Sequence, residues 1–147
     1  MSLEADIQRM GRTRPFHLLP REALQLIAFA SVKKNLKAGE TLFVEGDAAD
    51  GAYFVLSGAI NLMSREAKRR VEAGALIGET ALLTDLARRA NARAAEDSVV
   101  LRIPSDMFRR VLTEFPQSAA QIHADASARA RDFLDQLEGI RARAFEV

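Results

Sequence analysis

The sequence predicts an α+β domain: a strand-built roll with helices on both sides of it. Three observations predict it. Residues up to about 31 carry apolar positions at helical spacing, residues from about 32 to 103 form short strand-like runs broken by glycine turns, and residues from 105 to 147 return to helical spacing. At 147 residues the chain reads as one domain, long enough to bury a core.

In "LPREALQLIAFA", Pro20 stands where a first helical turn tolerates it, and Leu24, Ile27 and Ala28 share one face. The period changes at Lys37-Ala38-Gly39-Glu40. "TLFVEGD" is a short strand ended by the Gly46-Asp47 turn. "AYFVLSGAINLM" alternates as one strand, with Phe54, Leu56, Gly58, Ile60 and Leu62 on one face, and Gly58 marks a bulge or a close backbone approach. "SREAKRR" reads as a solvated basic hairpin tip. "VEAGALIGETALLTDLARR" is too broken by glycine, and too short in its helical run, to be core. "SVVLRI" is a further strand with Val99, Leu101 and Ile103 facing one way. Ser105 then reads as an N-cap, before an apolar stripe of Met107, Phe108, Val111, Leu112 and Phe115 that stops at Pro116.

Composition removes several function classes. With 21 basic and 20 acidic residues there is no global field for nucleic acid or an anionic membrane. The absence of cysteine excludes a disulfide scaffold, an iron–sulfur cluster, a thiolate zinc site and a cysteine nucleophile. No apolar run approaches the ~20 residues that span a bilayer, and no signal peptide is visible, so a cytoplasmic domain without a membrane segment is expected.

The segment "GETALLTDLARRANARA", residues 78–94, carries the chemistry. Gly78 allows close backbone approach or positive φ. "ETALL" makes about one helical turn, whose first N–H groups are free to meet an anion. Arg88 or Arg89 supplies a forked, permanently charged partner for phosphate. Glu79 suits a ligand that also offers hydroxyl donors, as ribose does, so the ligand implied is a nucleotide. From spacing alone a second reading stands beside it: Glu79 caps its own turn, and both arginines are solvated.

The wider pattern decides between them. "LKAGETLFVEGDAADGAYFVLSGAINLM" followed by "GALIGETALLTDLARRANARA" resembles the cyclic nucleotide-binding domain family of the bacterial catabolite activator protein, the regulatory subunits of cyclic-AMP-dependent kinase and the cyclic-nucleotide-gated channels. The likeness runs from about Phe16 to Phe133. It rests on Gly39-Glu40, Glu45-Gly46-Asp47, Tyr53, Gly58, and Gly78-Glu79 with Arg88. The resemblance implies a jelly-roll-like β-roll with helices before and after it. It implies that Glu79 binds the ribose 2′-hydroxyl and Arg88 the cyclic phosphate, with backbone from Gly78, Thr80 and Ala81. Ala90 and Ala94 match small positions that usually follow the family's arginine, which favours Arg88 over Arg89 in that role. Arg89 stands where the family usually carries Ala, Ser or Thr. The threonine associated with cyclic GMP is absent, so cyclic AMP is expected over cyclic GMP. Asn91 and Ala92 replace the usual Ser or Thr and Val, thinning the packing behind the cassette, and Ala87 stands where a proline is common.

In the last helix, Ala119, His123, Ala126, Ala130, Phe133, Leu137, Ile140 and Ala144 recur at four- and three-residue steps, a heptad seam. For the N-terminal half, packing of this face on the chain's own roll is an equal reading; beyond Phe133 it points to a homodimer partner. The expected function is a cyclic nucleotide sensor module: a single domain with no enzymatic activity, no cofactor beyond its nucleotide ligand, no metal site and no direct nucleic-acid contact. The alternatives are a non-binding dimerisation domain of the same fold and a cupin-type metalloenzyme. The metalloenzyme fits poorly, because only His17 and His123 are available and both lie outside the strands.

Overall fold

In the computed structural model, residues 3–145 are described except residue 85, with side chains through Leu137. Helices α1 (Leu3–Met10) and α2 (Arg21–Ala30) precede the strands, with a short 3₁₀ turn at Phe16–Leu18 between them. The strands are β1 (Val32–Leu36), β2 (Thr41–Phe43), β3 (Gly51–Ser57), β4 (Ala59–Met63), β5 (Lys68–Glu72), β6 (Leu76–Ile77), β7 (Asn91–Ala94) and β8 (Ser98–Pro104). A one-turn helix α3 (Thr80–Leu83) lies between β6 and β7, and helices α4 (Ser105–Glu114) and α5 (Pro116–Phe145) close the chain.

The strands form two four-stranded antiparallel sheets, ordered β1-β8-β3-β6 and β2-β7-β4-β5. Leu42, Tyr53, Val55, Ile60, Val71, Ile77, Ala92 and Val100 pack together between them as the interior of the roll. The other face of the first sheet takes the helices. There Phe54, Leu56, Leu101 and Ile103 meet Ile27 of α2, Phe108 of α4 and Ile122 of α5. Phe16 and Phe108 meet edge to face, their ring centres 5.9 Å apart. Burying each such ring contributes roughly 1.5–3 kcal/mol. β3 therefore separates two cores and is buried on both faces from Gly51 to Leu56, which is why its alternation is between kinds of apolar residue rather than apolar and polar.

Three expectations change here, and one left open on the last helix is resolved in part. "AYFVLSGAINLM" is two strands, because the chain leaves the first sheet at Gly58 and enters the second at Ala59. Phe54 and Leu56 face the helices, whereas Ile60 and Leu62 face the roll interior. Gly58 is a corner, with φ +83° and Ser98 pressed against its Cα. The glycine-broken 71–89 stretch does contribute to the core: Ile77, Ala81 and Leu82 are buried, and Leu82 is fully enclosed. Ser105 is not an N-cap; Pro104 holds that position without a side-chain cap. The Ser105 hydroxyl instead donates to the Ala81 carbonyl at 2.7 Å, and Arg109 Nε donates to the Leu82 carbonyl at 3.2 Å, so α4 grips the end of α3. Finally, α5 meets the domain through Ile122, which is 1 % exposed, while His123 is exposed and Ala119 only partly packed. The heptad positions Phe133 and Leu137 stay exposed, and Ile140 and Ala144 lie outside the described side chains.

"SREAKRR" divides as a hairpin. Ser64 closes a turn at Ala67, and Lys68–Arg70 begin β5, where Arg70 pairs with Glu72 and Glu96.

Candidate functional site

The turn after β2 and the approach to β7 hold each other in place. Gly46 N–H donates to the Arg88 carbonyl at 2.9 Å and Arg88 N–H to the Asp47 carbonyl at 2.8 Å, with Ala48 and Ala87 bridged beside them. Gly46 has φ +93°, so the Glu45-Gly46-Asp47 turn depends on a residue free to enter the left-handed region. Asn91 Oδ1 accepts from the Glu45 amide at 2.7 Å. The residue that departs from the familiar pattern thus ties the same two loops together. Two loops far apart in sequence, brought side by side at one end of the antiparallel β2–β7 pair, fix the backbone of Arg88.

Its side chain then runs inward. Arg88 is 6 % exposed, with Nη2 donating to the Gly51 carbonyl at 2.7 Å. The guanidinium lies 4.4 Å from the Phe43 ring centre and 5.5 Å from that of Tyr53. Asp50 Oδ1 stands 3.9 Å away, while the other oxygen of Asp50 is held by Arg102 at 2.9 Å. Burial lowers the Arg88 pKa from its ordinary value, and Tyr53, Asp50 and Asp47 act in the opposite direction. Arginine remains charged even so. Nε makes no hydrogen bond. A buried cation with an unfilled donor is an electrostatic host for an anion.

Gly78 faces this group. Its φ is +75°, and a Cβ there would lie 2.6 Å from Arg88 Nη1, so the guanidinium fills the space a side chain would need. Glu79 opens the one-turn helix without capping it, which removes the self-capping reading. Its carboxylate leaves the turn and accepts from Arg129 Nη1 of α5 at 3.2 Å. Arg129 also pairs with Asp125, and Asp125 with Arg14, at 3.4 and 3.6 Å. A chain of alternating charges thus runs from the cassette across α5 to the N-terminal segment.

The expected backbone donors divide. Among the described residues, the N–H groups of Gly78 and Thr80 have no backbone acceptor, whereas that of Ala81 is taken by the Gly78 carbonyl at 3.0 Å. The Ala81 N–H thus closes the turn, while Ala81 itself lines the neighbouring cleft. With four residues, α3 also has little dipole to offer. Arg89 is exposed, in contrast to Arg88, and Ala90 is half-buried. A cleft of about 160 Å³ is lined by Phe43, Leu62, Gly78, Thr80, Arg88 and Arg89, among others. A larger hollow of about 630 Å³ lies between Leu18 and Gln121, and its lining carries Glu114 but no arginine or lysine to match a phosphate's charge. Sequence reasoning missed Gly51, which acts through its backbone, and Arg129, fifty residues from its partner with no spacing to betray it.

The family model described as cyclic nucleotide-binding domain matches residues 33–115, from the start of β1 to just past α4. The chain belongs to the cyclic nucleotide-binding domain family. A cyclic nucleotide-binding-like protein from Brucella abortus is 37 % identical, covering 74 % of this chain and 98 % of that one, with a TM-score of 0.67. The sensor domain of the transcriptional regulator DNR from Pseudomonas aeruginosa shares the fold at TM-score 0.77 and 21 % identity, over 90 % of this chain and 93 % of that one. A lysophospholipase of Neurospora crassa is 32 % identical over 124 residues, 80 % of this chain. The chain spans only 8 % of the length of that relative. In this cyclic nucleotide-binding domain, Arg88 is the buried one of the two adjacent arginines and Arg89 the exposed one. No group of three metal-binding side chains occurs among the described residues, and no helix among them is long and apolar enough to cross a membrane.

Proposed function

We propose that the chain is a cyclic nucleotide sensor that acts by binding rather than catalysis, takes cyclic AMP in preference to cyclic GMP, and signals through α5. The observation that carries this reading is the Glu79–Arg129 pair. Glu79 is the carboxylate that the family resemblance assigns to the ribose 2′-hydroxyl, and α5 occupies it here. A ribose entering beside Arg88 competes with Arg129 for the same oxygens, so ligand binding and the seating of α5 become alternatives. Such competition shifts a two-state equilibrium without any further device. The preference for cyclic AMP rests on the missing threonine at Arg89.

The pair is more than a third exposed on both sides, so it is worth less than about 1 kcal/mol. Arg129→Ala is therefore expected to tighten cyclic AMP binding by about two- to fivefold and to raise hydrogen exchange in the α5 backbone of the ligand-free protein. Weaker binding in Arg129→Ala would mean that Arg129 holds the ligand rather than competing with it. Exchange in α5 unaffected by nucleotide would remove the signalling role.

Phe133, Leu134 and Leu137 are 61, 56 and 41 % exposed on the distal half of α5. That edge supports a homodimer built along the helix, with the heptad spacing as its register. Sedimentation across a dilution series is expected to show a dimer that Leu137→Asp dissociates; a monomer at every concentration excludes this arrangement.

A further inference from the structure

We propose that Arg88 and Arg89 together make the cleft a site for a doubly charged phosphate, so that it accepts an open-chain nucleoside monophosphate at least as tightly as a cyclic one. This rests on the cassette being a nucleotide site. A cyclic phosphodiester carries one negative charge, and Arg88 alone matches it. Arg89 lines the same cleft and is exposed at its rim, and it makes no hydrogen bond or ion pair with any described residue. Neither Glu79 nor Asp50 lines the cleft: Glu79 is the ribose partner in the proposed function, and Asp50 is shared between Arg102 at 2.9 Å and Arg88 at 3.9 Å. The described cleft lining therefore presents two permanent cations and no carboxylate.

A phosphomonoester suits that balance better than a diester. Its second ionisation falls near pH 6, so at neutral pH it bears about −1.5 to −2 charges on three terminal oxygens. Two of those oxygens meet Arg88 and the Gly78 and Thr80 amides, as a cyclic phosphate would. The third, which a cyclic diester spends on its second ester bond, is free for Arg89. The charge-assisted contact to Arg89 is thus made only with the open-chain ligand. The cleft then does not reject the hydrolysis product of its cyclic ligand.

The test is calorimetric titration of the whole chain with adenosine 3′,5′-cyclic monophosphate and with adenosine 5′-monophosphate, on wild type, Arg89→Ser and Arg89→Lys. In wild type the open-chain ligand is expected to bind at least as tightly as the cyclic one. Arg89→Ser should move the affinity ratio about tenfold toward the cyclic ligand, and Arg89→Lys, which keeps the charge, should preserve most of the wild-type ratio. Wild type favouring the cyclic ligand tenfold or more, or an unchanged ratio in Arg89→Ser, overturns the proposal while leaving the cyclic nucleotide reading intact. Silence with both ligands overturns both.

Discussion

Arg88→Ala is expected to weaken cyclic AMP binding by about a hundredfold or more, against a few-fold for Arg89→Ala. The difference comes from burial. Arg88 sits at 6 % exposure against two mutually packed aromatic rings, where its charge is poorly screened and its position is fixed by Gly51. Arg89 is exposed, so water and salt weaken whatever it contacts. The variant carries a structural cost as well. The Gly51 carbonyl loses its donor and the Phe43 and Tyr53 rings lose the group packed against them, which together cost about 1–3 kcal/mol. Melting temperature read alongside the titration separates the two effects, because a folded Arg88→Ala protein that fails to bind has lost recognition rather than structure. Equal losses for the two arginines would show that the phosphate sits one residue further along the loop.

Gly58→Ala is expected to be the most damaging of the glycine substitutions. At φ +83° any L-residue is strained by roughly 1–2 kcal/mol. The added Cβ would also meet the Asp97 carbonyl at 2.5 Å and Ser98 Cα at 2.7 Å, backbone atoms that cannot swing aside. The corner is further pinned by Ser98, whose Oγ accepts from Ala59 N–H at 3.0 Å. Strain and overlap sum to about 3 kcal/mol, a fall of about 10 °C in melting temperature for a chain of this size. Gly74→Ala is the control, since φ there is +95° with nothing within 4 Å of the added carbon. It carries the strain without the overlap. Thermal unfolding of the two variants should show Gly58→Ala as the less stable by several degrees, and equal melting temperatures would contradict the tight corner.

How far the molecule could be read in advance follows from how local each signal is. The Val99, Leu101 and Ile103 face and the α4 stripe were legible, because each repeats within one element and packs on one core. The Phe54-to-Leu62 face was not, because alternation says nothing about which sheet a strand belongs to, and Gly58 hides a change of sheet inside an unbroken pattern. Ser105 resembled a cap because serine before a helix usually is one; a neighbouring carbonyl, Ala81, won its hydroxyl instead. The meeting of Gly78 with Arg88 was legible because both stand in one contiguous segment. Arg129 was not, because α5 reaches Glu79 only through the folded arrangement of helix and roll. On α5, heptad spacing could not say which residue of the N-terminal half meets the roll: Ile122 turns to the core, with Ala119 partly packed and His123 exposed beside it.

The proposed ligand of the cleft around Arg88 and Gly78 is a cyclic nucleotide. Calorimetric titration of the wild-type chain with cyclic AMP and with cyclic GMP tests it most directly. The expected result is saturable binding of cyclic AMP at one site per chain, with a Kd on the order of 10 μM or tighter and weaker binding of cyclic GMP. No heat from either nucleotide at several hundred micromolar, about 5 kcal/mol or less of binding free energy, would contradict it.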